Sequence, residues 1–192
     1  MRVGLFGGSF DPAHEGHAHV ARTAMRRLRL HRVVWLVSPQ NPLKRGRPPA
    51  SLAQRMAGAR AFAKGPGMIV SDLEDRLGSV FTVDTLRSLK ARHPGVRFVW
   101  IMGSDSLANF HRWHGWRTIF REIPVAVVAR PQGLVNSRFA PAAQRFAHAR
   151  RPERAAGSLA LAAPPAWTFL SGRLHYASST QLRSEGIGTT AG

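Results

Sequence analysis

Cysteine is absent from the 192 residues, which excludes disulfides, zinc–thiolate and iron–sulfur sites and any thiol nucleophile. Acidic residues are few, 10 against 28 Lys+Arg, so the formal charge is +18. With so few carboxylates, none cluster as a dedicated metal cage would require. Lysine is scarcer still: only Lys44, Lys64 and Lys90 are not Arg among those cations, a skew that base composition can produce without any functional demand. No apolar run is long enough to cross a bilayer. The opening stretch Met1–Gly8 has neither a cationic leader nor a cleavage site, so the expectation is a cytoplasmic chain. What is present, 44% hydrophobic and 20% charged residues, is too apolar for wholesale disorder. The length suits one domain over 1–192, with a Gly- and Thr-rich tail fraying after about residue 185.

A charge of +18 asks for an anionic partner: nucleic acid, a membrane surface or a small polyphosphate. The cations are dispersed, however. The densest groups are Arg26, Arg27, Arg29 and Arg32 early in the chain and Arg145, Arg150, Arg151 and Arg154 late in it. No reading helix or aromatic-studded sheet accompanies them, so neither nucleic acid nor membrane is an expected partner. A basic nucleic-acid-binding protein remains the alternative of a different class, and salt-dependent retention of nucleic acid would mark it.

Short, continuously apolar runs alternate with helical patterns. Strands are expected at Met1–Phe6, Val33–Val37, Met68–Val70, Val96–Met102, Pro124–Ala129 and Trp167–Leu170. Helices are expected from about Gly16 to Leu30, from an N-cap at Ser51 to about Ala63, over Thr82–Arg92, from near Ser104, and at Ser178–Arg183. The segment between Ser38 and Pro49 is a Pro- and Lys/Arg-rich loop, and 132–165 reads as one helix within loops. No repeat is present. This order predicts an α/β fold, a doubly wound, Rossmann-like parallel sheet with helices on both faces.

The chemistry concentrates in Gly7-Gly8-Ser9-Phe10-Asp11-Pro12-Ala13-His14-Glu15-Gly16-His17, directly after the first strand and before a helix. Two glycines let backbone approach a ligand, and free amides at a helix N-terminus attract phosphate. His14 and His17, three apart, turn both rings to the same ligand. The string is not a P-loop, lacking Gly-Lys-Ser/Thr, nor a dinucleotide fingerprint, lacking the third glycine.

That string resembles the N-terminal signature of the nucleotidylyltransferase superfamily, with its His-x-Gly-His phosphate motif. Ser178-Ser179-Thr180-Gln181-Leu182-Arg183 is similar to the superfamily's second signature, with Ala177 and Leu182 where relatives commonly carry Ile. Phe81-Thr82-Val83-Asp84-Thr85-Leu86, Gly103-Ser104-Asp105-Ser106-Leu107, Phe110-His111-Arg112-Trp113 and Val128-Ala129-Arg130-Pro131 resemble the bacterial nicotinate-mononucleotide adenylyltransferases. The resemblance implies adenylyl transfer from ATP to nicotinate mononucleotide, giving deamido-NAD and pyrophosphate, with Mg²⁺ carried on the ATP. A phosphopantetheine or other small-molecule adenylyltransferase is the alternative within the class; the first of these usually has Thr where this chain has His14.

The acceptor phosphate in such a reaction is already anionic, so the protein needs neither general base nor nucleophile, only positioning and charge stabilisation. On the resemblance, His14, His17, Lys44 and Arg183 are the catalytic candidates for the triphosphate and leaving pyrophosphate. Gly7, Gly8, Ser9 and Phe10 would offer backbone to ATP, and Ser179 and Thr180 a second phosphate clamp. Gly103 and Asp105 fall past a strand end, Asp105 being either an adenosine contact or a helix cap. Trp113 either stacks on the pyridine ring or packs in the core. Thr85 either binds the nicotinate carboxylate or bonds its own helix. Arg45 and Arg130 are acceptor-phosphate candidates or surface charge. Asp11 reads as a turn stabiliser, and Arg55 is left outside the site. Residue types here set neither the oligomeric state nor a metal ligand set; His111 and His114 have no acidic partner nearby.

Overall fold

The computed structural model describes residues 1–39, 50–172, 174, 175, 177 and 179. Six parallel strands form one sheet: β1 (Arg2–Gly8), β2 (Arg32–Val37), β3 (Met68–Ser71), β4 (Arg97–Gly103), β5 (Val125–Val128) and β6 (Trp167–Leu170), in the order β3-β2-β1-β4-β5-β6. This is the doubly wound order, in which the chain reverses its direction of travel between β1 and β4. The sequence expectation for the fold is met.

Alternation along the strands sends residues to two separate cores, as the period of two requires. Phe6 of β1, Val99 and Ile101 of β4 and Ala126 and Val128 of β5 face one layer. That layer holds α1 (Glu15–Arg27), α2 (Leu52–Phe62) and a long 3-10 segment, Glu153–Leu161. Val3 and Leu5, Trp100 and Met102, and Val125 and Val127 face the opposite layer. There the short α3 (Leu73–Arg76) precedes α4 (Thr82–Arg92), α5 (Ser104–Asn109), α6 (Trp116–Glu122), α7 (Leu134–Arg138) and α8 (Pro141–Arg145).

Local chemistry accounts for the helix limits. Ser51 accepts the Gln54 amide at 3.2 Å while Gln54 Oε1 accepts the Ser51 amide at 3.0 Å, a reciprocal cap at the start of α2. The end of α1 comes earlier than its apolar pattern suggests, because Arg29 enters the left-handed region at φ 53°. There the Leu30 amide bonds back to Met25 at 2.9 Å, the closing bond of a Schellman turn.

The expectation of one helix within 132–165 is corrected. That stretch is α7, α8, a 3-10 turn at Ala147–Ala149 and the 3-10 segment Glu153–Leu161. Pro131 and Pro141 each stand at the first turn of a new segment, and Pro152 directly precedes another; proline starts helices and cannot continue them. Among the described residues no helix is long and apolar enough to cross a membrane.

Candidate active site

β1 and β4 are neighbours and end together at Gly8 and Gly103. α1 leaves on one face and α5 on the other, which opens the crevice where such sheets bind ligands. The turn after β1 is built on aromatic packing. Phe10, 1% exposed, takes φ 47°, a left-handed conformation unusual for a bulky side chain. Its ring meets His17 edge-on at 5.0 Å, Phe6 at 5.4 Å and Trp35 at 5.1 Å. The same packing gives the paired glycines an internal reason: a Cβ on Gly7 would enter the Trp100 ring, and one on Gly8 would lie 3.2 Å from the Phe10 ring. Phe10 thus presents backbone at the turn and keeps its side chain in the core.

His14 caps α1 and is 2% exposed. Its ring lies 3.8 Å from that of His17, centroid to centroid, so the two expected rings do converge. The His14 backbone amide donates to His17 Nδ1 at 3.3 Å. That acceptance places the proton of a neutral His17 on Nε2. Both ring nitrogens of His14 are buried with no hydrogen-bond partner among the described residues. Burial first, then the charges of Arg130 and His175, lower its pKa to about 4, so His14 is neutral at physiological pH.

Across the crevice, Arg130 Nη1 bonds Asp105 Oδ2 at 3.0 Å and Nη2 bonds the Ala177 carbonyl at 2.9 Å. The fully buried Ser104 hydroxyl accepts from the Arg130 amide at 2.9 Å and donates to its carbonyl at 3.0 Å, joining the start of α5 to the end of β5. A side chain on Gly103 would collide with this Asp105–Arg130 pair, and one on Gly133 with the backbone of Ser104 and Asp105. Among the described residues Asp105 Oδ1 and Arg130 Nε have no hydrogen-bond partner.

The two terminal signatures meet. Ser179 Oγ donates to the Pro12 carbonyl at 2.9 Å across 167 residues. The Ala177 carbonyl would lie 2.8 Å from a Cβ on Gly16, so the central glycine of the His-x-Gly-His motif is where the C-terminal segment crosses α1. Lys44, Arg45, Thr180 and Arg183 lie outside the described residues.

On the α4 side, Trp113 is half-buried, 5.0 Å from Phe110 and 6.1 Å edge-on from Trp100. Gly115, at φ 65°, packs against Val83 of α4 and so brings the Trp113 and Thr85 segments together. Thr85 is fully buried, and its hydroxyl donates to Ser79 Oγ at 2.9 Å. Sequence reasoning passed over Glu74 and set Arg55 aside, and both are buried charges. Glu74, 5% exposed, accepts the Ser38 hydroxyl at 2.8 Å. Burial pushes its pKa up, against the lowering effect of hydrogen bonds from Ser38 and Thr85. Arg55, 3% exposed, bonds four backbone carbonyls. Neither residue carries a motif signal, since a buried charge and a surface charge look alike in sequence. Among the described residues no three His, Asp or Glu side chains converge as a metal site.

A profile of the cytidylyltransferase-like family matches residues 5–185. A Caulobacter sp. (strain K31) protein named "Probable nicotinate-nucleotide adenylyltransferase" is 66% identical over 183 residues, 95% of this chain and 97% of the relative. The chain belongs to this family. A Cereibacter sphaeroides relative of the same name is 54% identical, covering 97% of this chain and 98% of its own. A solved Plasmodium falciparum nicotinic acid mononucleotide adenylyltransferase complexed with NaAD superposes with a TM-score of 0.69 at 16% identity, over 95% of this chain and 82% of that one. At that identity the likeness speaks for the fold. The cytidylyltransferase-like chain shares the fold of that protein.

Proposed function

We propose that the chain transfers the adenylyl group of ATP to nicotinate mononucleotide, forming deamido-NAD and pyrophosphate. One observation carries the reading: the N- and C-terminal signatures converge on a crevice where a neutral, buried histidine has no partner for either ring nitrogen among the described residues. An oxygen of the mononucleotide phosphate attacks the α-phosphorus of ATP as the bond to the β-phosphate bridge breaks. Electrons leave on pyrophosphate and no proton need move, so the protein's task is alignment and charge stabilisation.

His17 and His14 are assigned to the phosphates, with Lys44 and Arg183 as the cationic partners. The backbone of Gly7, Gly8, Ser9 and Phe10 borders ATP, with Ser179 and Thr180 on the opposite side. Asp105 and Gly103 belong to the adenosine side, and Arg130 and Arg45 to the acceptor phosphate. Trp113 and Thr85 face the pyridine ring and its carboxylate. Mg²⁺ enters as the counter-ion of ATP, where it offsets phosphate charge, rather than as an ion held by side chains of this chain.

Pyrophosphate release from ATP, with nicotinate and nicotinamide mononucleotides offered separately, tests the proposal. The expected result is deamido-NAD from the acid. Turnover of phosphopantetheine with neither mononucleotide would replace it.

A further inference from the structure

Arg55 and Arg130 are the buried arginines among the described residues. Arg130 pairs with a carboxylate, but Arg55 directs its guanidinium at the main chain. Nε donates to the Ala50 carbonyl at 2.9 Å, Nη1 to Ser9 at 3.0 Å and Ser38 at 2.5 Å, and Nη2 to Pro39 at 2.8 Å. These four carbonyls come from three places: the turn after β1, the exit of β2 and the entry to α2. The Ser38 amide in turn donates to the Gly8 carbonyl at 3.0 Å, so the turn and the β2 exit are tied in both directions. Pro39 and Ala50 are also the residues that bracket the segment carrying Lys44 and Arg45.

Such an arrangement is unusual for a residue that serves packing alone. Burying a guanidinium is costly unless its N–H groups are matched, and an apolar side chain fills space with no such cost. The four acceptors are reached through all three guanidinium nitrogens. A planar fork of five donors can serve them together, while a single ammonium on a flexible stem cannot. Burial lowers the Arg55 pKa, and the negative charge of Asp11, inside the same turn, acts against that lowering. One buried side chain therefore holds the geometry of the turn that borders the phosphates in the function proposed above.

We propose that Arg55 is a positioning residue for adenylyl transfer, acting through the backbone of Ser9 and Ser38 to set the Gly7–Phe10 turn for ATP. It touches no substrate itself. The inference rests on the proposed function only for its kinetic consequence; the clamp can be read without turnover.

The test compares full-length Arg55→Lys and Arg55→Met with Arg60→Met, an exposed arginine on the same helix. Both Arg55 variants should unfold cooperatively, with KM for ATP raised roughly tenfold or more, as expected when a positioning element shifts. KM for nicotinate mononucleotide should stay within about twofold, and Lys should not rescue, because the fork and not the charge is required. Amide hydrogen exchange should accelerate about tenfold at Phe10 and Ser38 while β4 and β5 amides keep their protection. Arg60→Met should change none of these. A lowered thermal midpoint with unchanged KM values per folded enzyme would overturn the proposal, as would equal rises in both KM values. If one Arg55 variant does not fold, the other carries the comparison. Should the wild type release no pyrophosphate with the mononucleotide, the functional reading fails. Unchanged exchange at Phe10 and Ser38 in Arg55→Lys would then still refute the clamp on its own.

Discussion

Two buried polar clusters lie at the same end of the sheet, and the fold treats them in opposite ways. His14, Asp105 and Arg130 leave four atoms without a partner among the described residues: both His14 ring nitrogens, Asp105 Oδ1 and Arg130 Nε. Arg55 and Glu74 contribute no such atom; their partners are four carbonyls in one case and the Ser38 and Thr85 hydroxyls in the other. An unsatisfied buried group costs about 1–3 kcal/mol, so a concentration of them at strand ends is tolerated where a ligand supplies the missing partners. In the proposed function a ligand completes the first cluster, whereas the second has its partners within the chain and holds the backbone around it.

The strongest test of this division is His17→Ala. A donor positioned where charge develops is worth about 2.7–4 kcal/mol of barrier, so kcat should fall roughly a hundred- to a thousandfold at saturating substrates. The thermal midpoint should fall by only a few degrees, since half-buried His17 gives up its edge contact with Phe10 while the fully buried rings stay in place. Near-normal turnover would place the developing charge elsewhere.

The two clusters should also respond to pH with opposite sign. The folded pKa of His14, about 4, lies below its ordinary 6.5 because of burial and the nearby charges of Arg130 and His175. Between those values the unfolded chain binds the extra proton. The stability that neutral His14 contributes is therefore complete above pH 6.5 and is lost toward pH 4, by on the order of 3 kcal/mol. Glu74 is shifted upward by burial, so its contribution is present below the ordinary carboxylate pKa and declines as pH rises through its folded value. Urea unfolding of the wild type, His14→Gln and Glu74→Gln across this range checks both signs. His14→Gln should flatten the acid limb, and Glu74→Gln should remove the decline on the other side. A wild-type acid limb kept intact in His14→Gln would assign it to other groups.

Gly16→Ala probes the seam between the terminal signatures. The new Cβ would lie 2.8 Å from both the Ala177 carbonyl and His14 Cε1, so the crossing segment or the histidine ring must shift. Such overpacking costs about 1–3 kcal/mol, and KM for ATP should rise with it. A crystal structure or exchange data with Ser179 still bonded to Pro12 and His14 unmoved would count against the seam.

These contrasts also explain what was legible in the sequence. The inner strands were readable because strands buried on both faces are continuously apolar, as in Val33–Val37 and Val125–Val128. The limits of α2 and α4 were readable because Ser51 caps one and His93-Pro94-Gly95 ends the other. The four-residue α3, and α6 behind the left-handed Gly115, are too short for periodicity to register. In the site, the turn and the histidine pair were legible because their residues are contiguous. The Asp105–Arg130 pair, the Ser179–Pro12 bond and the Arg55 clamp join positions 25, 167 and up to 46 residues apart. Sequence spacing carries no trace of such contacts, which only the order of the strands creates.

The smallest expected effect lies where the complete cluster borders the acceptor, at Thr85. Its hydroxyl donates to Ser79 Oγ and also bonds Glu74, so reading a substrate group requires it to give up one of these partners. A hydrogen bond to a neutral acceptor contributes about 0.5–1.5 kcal/mol, and one to a charged acceptor about 1.5–3. Where the Ser79 bond is the one given up, a nicotinate carboxylate gains by the exchange, and the neutral amide of nicotinamide does not. The difference, on the order of 1–2 kcal/mol, corresponds to a preference for the acid of roughly tenfold. Thr85→Val should reduce that preference by weakening the acid more than the amide. Ser79→Ala removes one competing acceptor and should favour the acid further, whereas Trp113→Ala should weaken both acceptors alike through lost stacking. Steady-state kinetics with both mononucleotides on the three variants decide the matter. Equal losses for acid and amide in Thr85→Val, with no gain in Ser79→Ala, would mean that Thr85 belongs wholly to the holding cluster and that backbone amides near Trp113 distinguish the acceptors.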